Sequence, residues 1–140
     1  MPAIGLLWVK AKVDTGARTS SLHAEDLVEF ERDAREWVRF TVRPWQSTTK
    51  DSLQVECPVH DRRTVRSSSG HVSLRLVVLL DLALAGRIVP AEVTLSQREG
   101  MGFRMLVGRE ALRQGYVVDP SRSYAGGKPP KRVRRRNRGR

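Results

Sequence analysis

The feature that most constrains this chain is a series of short segments rich in β-branched and aromatic residues, each closed by a turn signal. Residues 37–42 read Trp-Val-Arg-Phe-Thr-Val and are ended by Pro44. That composition suits a pleated, half-buried surface and predicts a strand. Residues 53–59 alternate and predict a second strand. Residues 62–65 lead into the small-residue turn Ser67-Ser68-Ser69-Gly70. Residues 71–80 and 88–95 predict two further strands, with Gly86 in the turn before the latter. Residues 8–13 predict a strand feeding a turn at Asp14, and residues 103–107 a buried strand. Residues 1–8, with Pro2 and Gly5, read as a loop or short edge strand, and residues 99–102 as a loop. Residues 110–114 read as a short helix ending at Gly115, and residues 116–120 as a short terminal strand. Many short strands with one late helix predict a mainly β domain, a small closed or partly open barrel.

The chain has 140 residues, enough for one domain with a modest core. Hydrophobic residues make up 39%, which excludes a wholly disordered chain. No run is long and apolar enough to span a membrane. Lys10 and Lys12 interrupt the only apolar N-terminal stretch, so a signal peptide is not expected. A single cysteine, Cys57, excludes an internal disulfide framework and fits a reducing cytoplasm.

The formal charge of +11 is unevenly placed. Lys128, Lys131, Arg132, Arg134, Arg135, Arg136, Arg138 and Arg140 lie in a stretch with no acid; without those eight, 18 basic face 15 acidic residues, a net of +3. The expected organisation is therefore a folded domain over residues 1–125 and a disordered basic tail over residues 126–140, opened by Gly126-Gly127-Lys128-Pro129-Pro130. Such a tail can neutralise phosphates and contact RNA without reading sequence. It holds no interleaved aromatics, so base stacking is not expected of it. The alternative is a solvated extension that aids solubility.

Two short motifs carry chemistry. Lys12-Val13-Asp14-Thr15-Gly16-Ala17 places an Asp-Thr-Gly turn after an apolar approach. Met105-Leu106-Val107-Gly108-Arg109 runs apolar residues into Gly-Arg. An Asp-Thr-Gly triplet also suits an ordinary turn. In this order, the two motifs resemble the signatures of the retropepsin-type aspartic proteases. The segments Lys10-Ala11-Lys12-Val13-Asp14-Thr15-Gly16-Ala17-Arg18-Thr19-Ser20-Ser21-Leu22-His23-Ala24, Arg62-Arg63-Thr64-Val65 and Met101-Gly102-Phe103-Arg104-Met105-Leu106 are similar to a bacterial and archaeal family long labelled ATP-dependent zinc proteases and better described as retropepsin-like aspartic endopeptidases. The resemblance covers residues 4–124. An additional N-terminal strand usually precedes this point in that family, and it is expected to be missing here.

The resemblance implies a retropepsin fold and peptide hydrolysis by an Asp dyad. Two carboxylates sharing one proton let one act as base on water and the other as acid toward the peptide. The sequence holds one Asp-Thr-Gly, so a homodimer is expected to bring Asp14 and its symmetry mate together. Thr15 would lock the two turns through its hydroxyl, Gly16 would permit the tight turn, and Ala17 would lie beneath substrate. Leu106 and Val107 would pack under the turn, Gly108 would allow close backbone approach, and Arg109 would be scaffold.

Retroviral members follow Asp-Thr-Gly-Ala with acidic residues, whereas Arg18 and Thr19 stand here. With Arg62, Arg63 and Arg66, Arg18 predicts a cleft that favours carboxylates, hence an acidic, glutamate-rich peptide. The resembled family is often associated with a ribosomal-protein glutamate ligase, which suits that expectation. The bland alternative makes these arginines solvated surface or structural pairs.

No cofactor is expected. The historic label's alternative, a zinc protease, would have to draw on His23, Cys57, His60 and His71, with no His-Glu-x-x-His present. No phosphate-binding Gly-x-x-x-x-Gly-Lys-Ser/Thr loop is present for ATP. A third reading keeps the fold as a non-catalytic RNA-binding module.

Overall fold

The computed structural model describes residues 1–98 and 100–138. In chain order the strands are β1 (Ala11–Val13), β2 (Ser20–His23), β3 (Glu25–Arg32), β4 (Arg35–Val42), β5 (Leu53–Pro58), β6 (Asp61–Arg66), β7 (Val72–Leu84), β8 (Arg87–Ser96) and β9 (Met105–Val107). The helices are α1 (Arg109–Leu112) and α2 (Lys131–Arg136), and a 3-10 turn spans Pro2–Ile4. Glu99, in the expected 99–102 loop, and Gly139 and Arg140, at the end of the expected tail, lie outside the described residues.

The architecture is mainly β but is not a closed barrel. A six-stranded sheet runs β1-β9-β2-β8-β7-β6, and a three-stranded antiparallel sheet runs β3-β4-β5. Closure would need β1 and β6 to share a hydrogen-bond ladder, and instead they are the two edges of the larger sheet. The sheets are held by one apolar cluster. Val38, Phe40 and Val42 alternate inward from β4, joined by Val55 and Cys57 of β5. They meet Val78, Leu80 and Leu82 of β7 and Val93 and Leu95 of β8. This is the period-2 pattern of a strand with one buried face.

The β7–β8 connection is a two-residue hairpin in which Ala85 and Gly86 both adopt positive φ, 48° and 80°. Such a turn matches the twist of the strands it joins. The ladder between β7 and β8 begins at Val77, so the first five residues of β7 pair with β6 alone. The β6–β7 hairpin therefore overhangs the sheet. It carries Val72 and Leu74 exposed at its tip, 55% and 69% accessible.

Several local expectations need correction. β2 and β3 are not among the strands expected from the pattern. Residues 116–120 form no strand; Tyr116 instead donates its hydroxyl to the Leu84 carbonyl at 2.8 Å. Met1 and Leu6 are buried in the core beside the 3-10 turn, where a loop or edge strand was expected. The described part of the basic tail is not a disordered extension: its residues 131–136 form α2, because Val133 finds an apolar seat and is only 4% exposed. Among the described residues, no helix is long and apolar enough to cross a membrane.

Candidate active site

The topology of the larger sheet builds the site. β9 lies between β1, with which it is parallel, and β2, with which it is antiparallel. The end of β1, the end of β9 and the start of β2 therefore meet at one place. Asp14 leaves β1 there, its N–H donating to the Val107 carbonyl at 2.9 Å. Its own side chain then shapes the turn: Asp14 Oδ1 accepts the Gly16 N–H at 2.9 Å, and the Asp14 carbonyl accepts the Ala17 N–H at 3.3 Å. Asp14 is half-buried, while Thr15 and Gly16 are exposed. The turn is thus held from one side and open on the other.

The second motif supplies the holding side. Arg109 Nη1 donates to the carbonyls of Thr15 and Gly16 at 3.4 and 3.3 Å. The backbone N–H groups of Arg109 and Glu110 donate to Ala17 and Arg18 carbonyls at 2.9 and 3.0 Å. Gly108 is buried, and its N–H donates to Ser20 Oγ at 3.1 Å. A Cβ at position 108 would stand 2.6 Å from the Thr19 carbonyl carbon and oxygen. Only glycine lets the two backbones approach this closely. Val107 is buried and Leu106 half-buried behind the turn. Ser20 has no signature in the sequence, since its role depends on a partner 88 positions away.

The predicted cations divide. Arg18 is largely exposed and pairs with Glu110 Oε1 at 3.1 Å, beside the turn. Arg62 and Arg63 lie on β6, at the far edge from β1, and already hold carboxylates. Arg62 bridges Glu29 and Glu36. Arg63 forks onto Glu92 at 2.6 and 2.9 Å and also reaches Asp61 at 2.7 Å. The Arg63 hydrogen bond holds the Glu92 carboxyl below its ordinary range, with His60 adding to the effect. Arg66 is exposed at the end of β6, with no ion pair among the described residues.

The structure adds two cations that sequence reading missed. Burial, then the charge of Arg75, lowers the Arg98 guanidinium from its ordinary value, and Asp14 opposes that shift. Arg98 thus lies within electrostatic reach of both Asp14 and the overhanging hairpin, which carries Arg75 on β7. Its backbone is fixed by His23, whose Nδ1 accepts the Arg98 N–H at 2.8 Å. That leaves the His23 Nε2 proton for Glu25 Oε1, 3.0 Å away. Arg75 and Arg98 are 61 and 84 positions from Asp14, so no local pattern links them.

The candidate metal ligands are not brought together. Both ring nitrogens of His23 are engaged, Cys57 is buried on β5, His60 pairs with Glu92 at 3.1 Å, and His71 is exposed before β7. Burial also pushes the Cys57 thiol up from its ordinary value, away from the thiolate a metal requires. Among the described residues, no group of three or more His, Cys, Asp or Glu is placed to hold a metal ion.

Comparison with known proteins bears on this geometry. A family model described as RimB-like, retropepsin-like aspartic endopeptidase, matches residues 2–129. A Legionella pneumophila protein of unknown function has a crystal structure similar to this fold, with TM-score 0.68 and 29% identity over 83% of each chain. A Shewanella halifaxensis protein named "Probable alpha-L-glutamate ligase" is 44% identical over 123 residues, 88% of this chain. A Desulfotalea psychrophila protein of the same name is 41% identical over 130 residues, 93% of this chain. The chain spans only 27% and 28% of the lengths of those two relatives.

Proposed function

Because the chain belongs to the RimB-like family of retropepsin-like aspartic endopeptidases, we propose that it hydrolyses peptide bonds with Asp14 from each of two identical subunits. The observation that carries this reading is the Asp14 turn itself: fixed from behind by Arg109, Gly108 and Ser20, and open in front. One turn supplies one carboxylate, so a two-fold axis beside Asp14 completes the pair. One carboxylate takes a proton from water as the water oxygen bonds to the scissile carbonyl carbon. The other gives its proton to the departing nitrogen as the C–N bond breaks. The two groups then titrate as a pair. The overhanging β6–β7 hairpin is the segment that closes over the peptide, its exposed Val72 and Leu74 meeting the substrate or the opposing hairpin.

The preferred substrate is an acidic, glutamate-rich peptide. Arg62 and Arg63 contribute less than their sequence position suggests, since their guanidinium groups are held by carboxylates of the same chain. Arg98 near Asp14, with Arg75 beside Arg98 on the hairpin and Arg66, which makes no ion pair among the described residues, supplies the positive field instead, while Arg18 is shared with Glu110. The relatives' name supports the same chemistry: a glutamate ligase makes the kind of chain that such a peptidase would trim. Ligase activity itself is named of proteins more than three times as long.

The test is cleavage of a glutamate-rich peptide, followed by mass spectrometry of the products, with and without a metal chelator. Equal cleavage in both tubes is expected. Loss of cleavage on chelation, restored by added zinc, would replace the aspartic mechanism with the metalloprotease one.

A further inference from the structure

We infer that the C-terminal basic segment, Lys10 and Tyr124 form a binding site for single-stranded nucleic acid. The inference does not depend on the peptidase reading. It begins with how α2 is docked. The Arg136 carbonyl accepts the Ser47 N–H at 3.0 Å, and its guanidinium lies 5.1 Å over the Trp45 ring and 3.4 Å from Asp51. Asn137 Oδ1 accepts the Gln46 N–H at 3.1 Å. With Val133 buried beneath it, the segment is anchored on one side.

Anchoring one side fixes what the other presents. Lys131, Arg134, Arg135 and Arg138 are spaced three or four residues apart, so a helical path aligns them on one face. With Lys10, Tyr124 and Asn137 they line a cavity of about 330 Å³. Lys10 comes from the approach to β1, its Nζ 4.6 Å over the Phe103 ring. Among the described residues, no carboxylate lines this cavity. None of its five cations makes an ion pair among the described residues, in contrast to Arg136. Arg134 Nε is moreover buried without a hydrogen-bond partner among the described residues. A buried donor left unsatisfied is costly, and a cavity lined by five cations, with no carboxylate among the described residues, is completed by an anion from outside.

Charge alone would accept any polyanion, including an acidic peptide. The aromatic ring decides between them. Tyr124 lines the same cavity and is 51% exposed. A base stacks its aromatic face on such a ring, while a glutamate side chain has no aromatic face to offer. The tail sequence contains no aromatic; the fold brings one to it. Phosphates on the guanidinium and ammonium groups and one base on Tyr124 account for the cavity's side chains other than Asn137, whose Oδ1 is held by the Gln46 N–H.

The experiment measures binding of labelled oligo(U) RNA and oligo(dT) DNA, each about 12 nucleotides, to the full chain across a salt series. The combined Arg134→Ala, Arg135→Ala, Arg138→Ala variant is expected to weaken binding at least tenfold near 100 mM salt. It is also expected to reduce the slope of log affinity against log salt by about 2, the loss of three phosphate contacts to a single strand. Lys10→Ala, on a separate segment, is expected to reduce that slope by about 0.7. Tyr124→Ala is expected to weaken binding about fivefold or more at unchanged slope, with Tyr124→Phe restoring it. Val133, Arg136 and Asn137 are untouched in all variants, so their unfolding midpoints should match the parent. The inference is overturned if the triple and Lys10 variants bind as tightly as the parent. It is equally overturned if Tyr124→Ala binds normally while oligoglutamate of equal charge displaces the nucleic acid one for one, which would assign the site to acidic peptides.

Discussion

Replacing Asp14 by Asn is expected to lower kcat for a glutamate-rich peptide by about 10²- to 10⁴-fold, the range for removing a general acid–base group. The unfolding midpoint should barely move. An amide cannot take the proton from water or return one to the departing nitrogen. Its oxygen can still accept the Gly16 N–H that Asp14 Oδ1 accepts at 2.9 Å, so the turn keeps its shape. Steady-state kinetics beside a denaturant titration checks both halves. Full activity in the variant would remove Asp14 from the chemistry.

The second large effect is structural. Gly108→Ala should destabilise the fold by about 3 kcal/mol, at the upper end of overpacking, and should abolish cleavage at concentrations where the parent is active. The added Cβ would stand 2.6 Å from the Thr19 carbonyl carbon and oxygen and 3.0 Å from the Ala17 carbonyl oxygen. All of these are backbone atoms, which cannot swing aside as a side chain tip can. Relief requires moving β9 away from the segment that follows the Asp14 turn. That movement lengthens the Ser20–Gly108 bond and the Arg109 contacts to Thr15 and Gly16 together. A melting midpoint within error of the parent would show that this junction is looser than the geometry states.

The two motifs and the strands that obey simple alternation were legible in advance, for reasons visible in particular residues. β4 alternates between Val38, Phe40 and Val42 facing in and Arg39 and Thr41 between them, so its period needs no tertiary information. β2 is the opposite case. Its Ser20, Ser21, Leu22 and His23 are all buried, three of them polar. Their hydrogen-bonding partners are Gly108, Ser96 and Glu25, together with the backbone of Arg98. A strand whose burial is licensed by distant partners has no hydrophobic period to read.

The same limit explains the site and the tail. Arg62 and Arg63 are conspicuous as charges, but the carboxylates that hold them, Glu29, Glu36 and Glu92, come from other strands. Arg98 carries no local mark of its approach to Asp14, nor Arg75 of its approach to Arg98. The tail's composition argues for disorder. Val133, Arg136 over Trp45 and the hydrogen bonds to Ser47 and Gln46 seat its helix once the rest of the fold provides the surface.

The dimeric dyad is the central claim of the proposed peptidase function, and mixing subunits tests it most directly. Parent and Asp14→Asn chains would be unfolded together in equal amounts, refolded, and assayed at a fixed total concentration. If each site needs Asp14 from both subunits, random pairing leaves about a quarter of the dimers active, and the rate should fall to about a quarter of the parent's. A rate near one half would mean that each chain works with its own Asp14 alone, and would contradict the shared site.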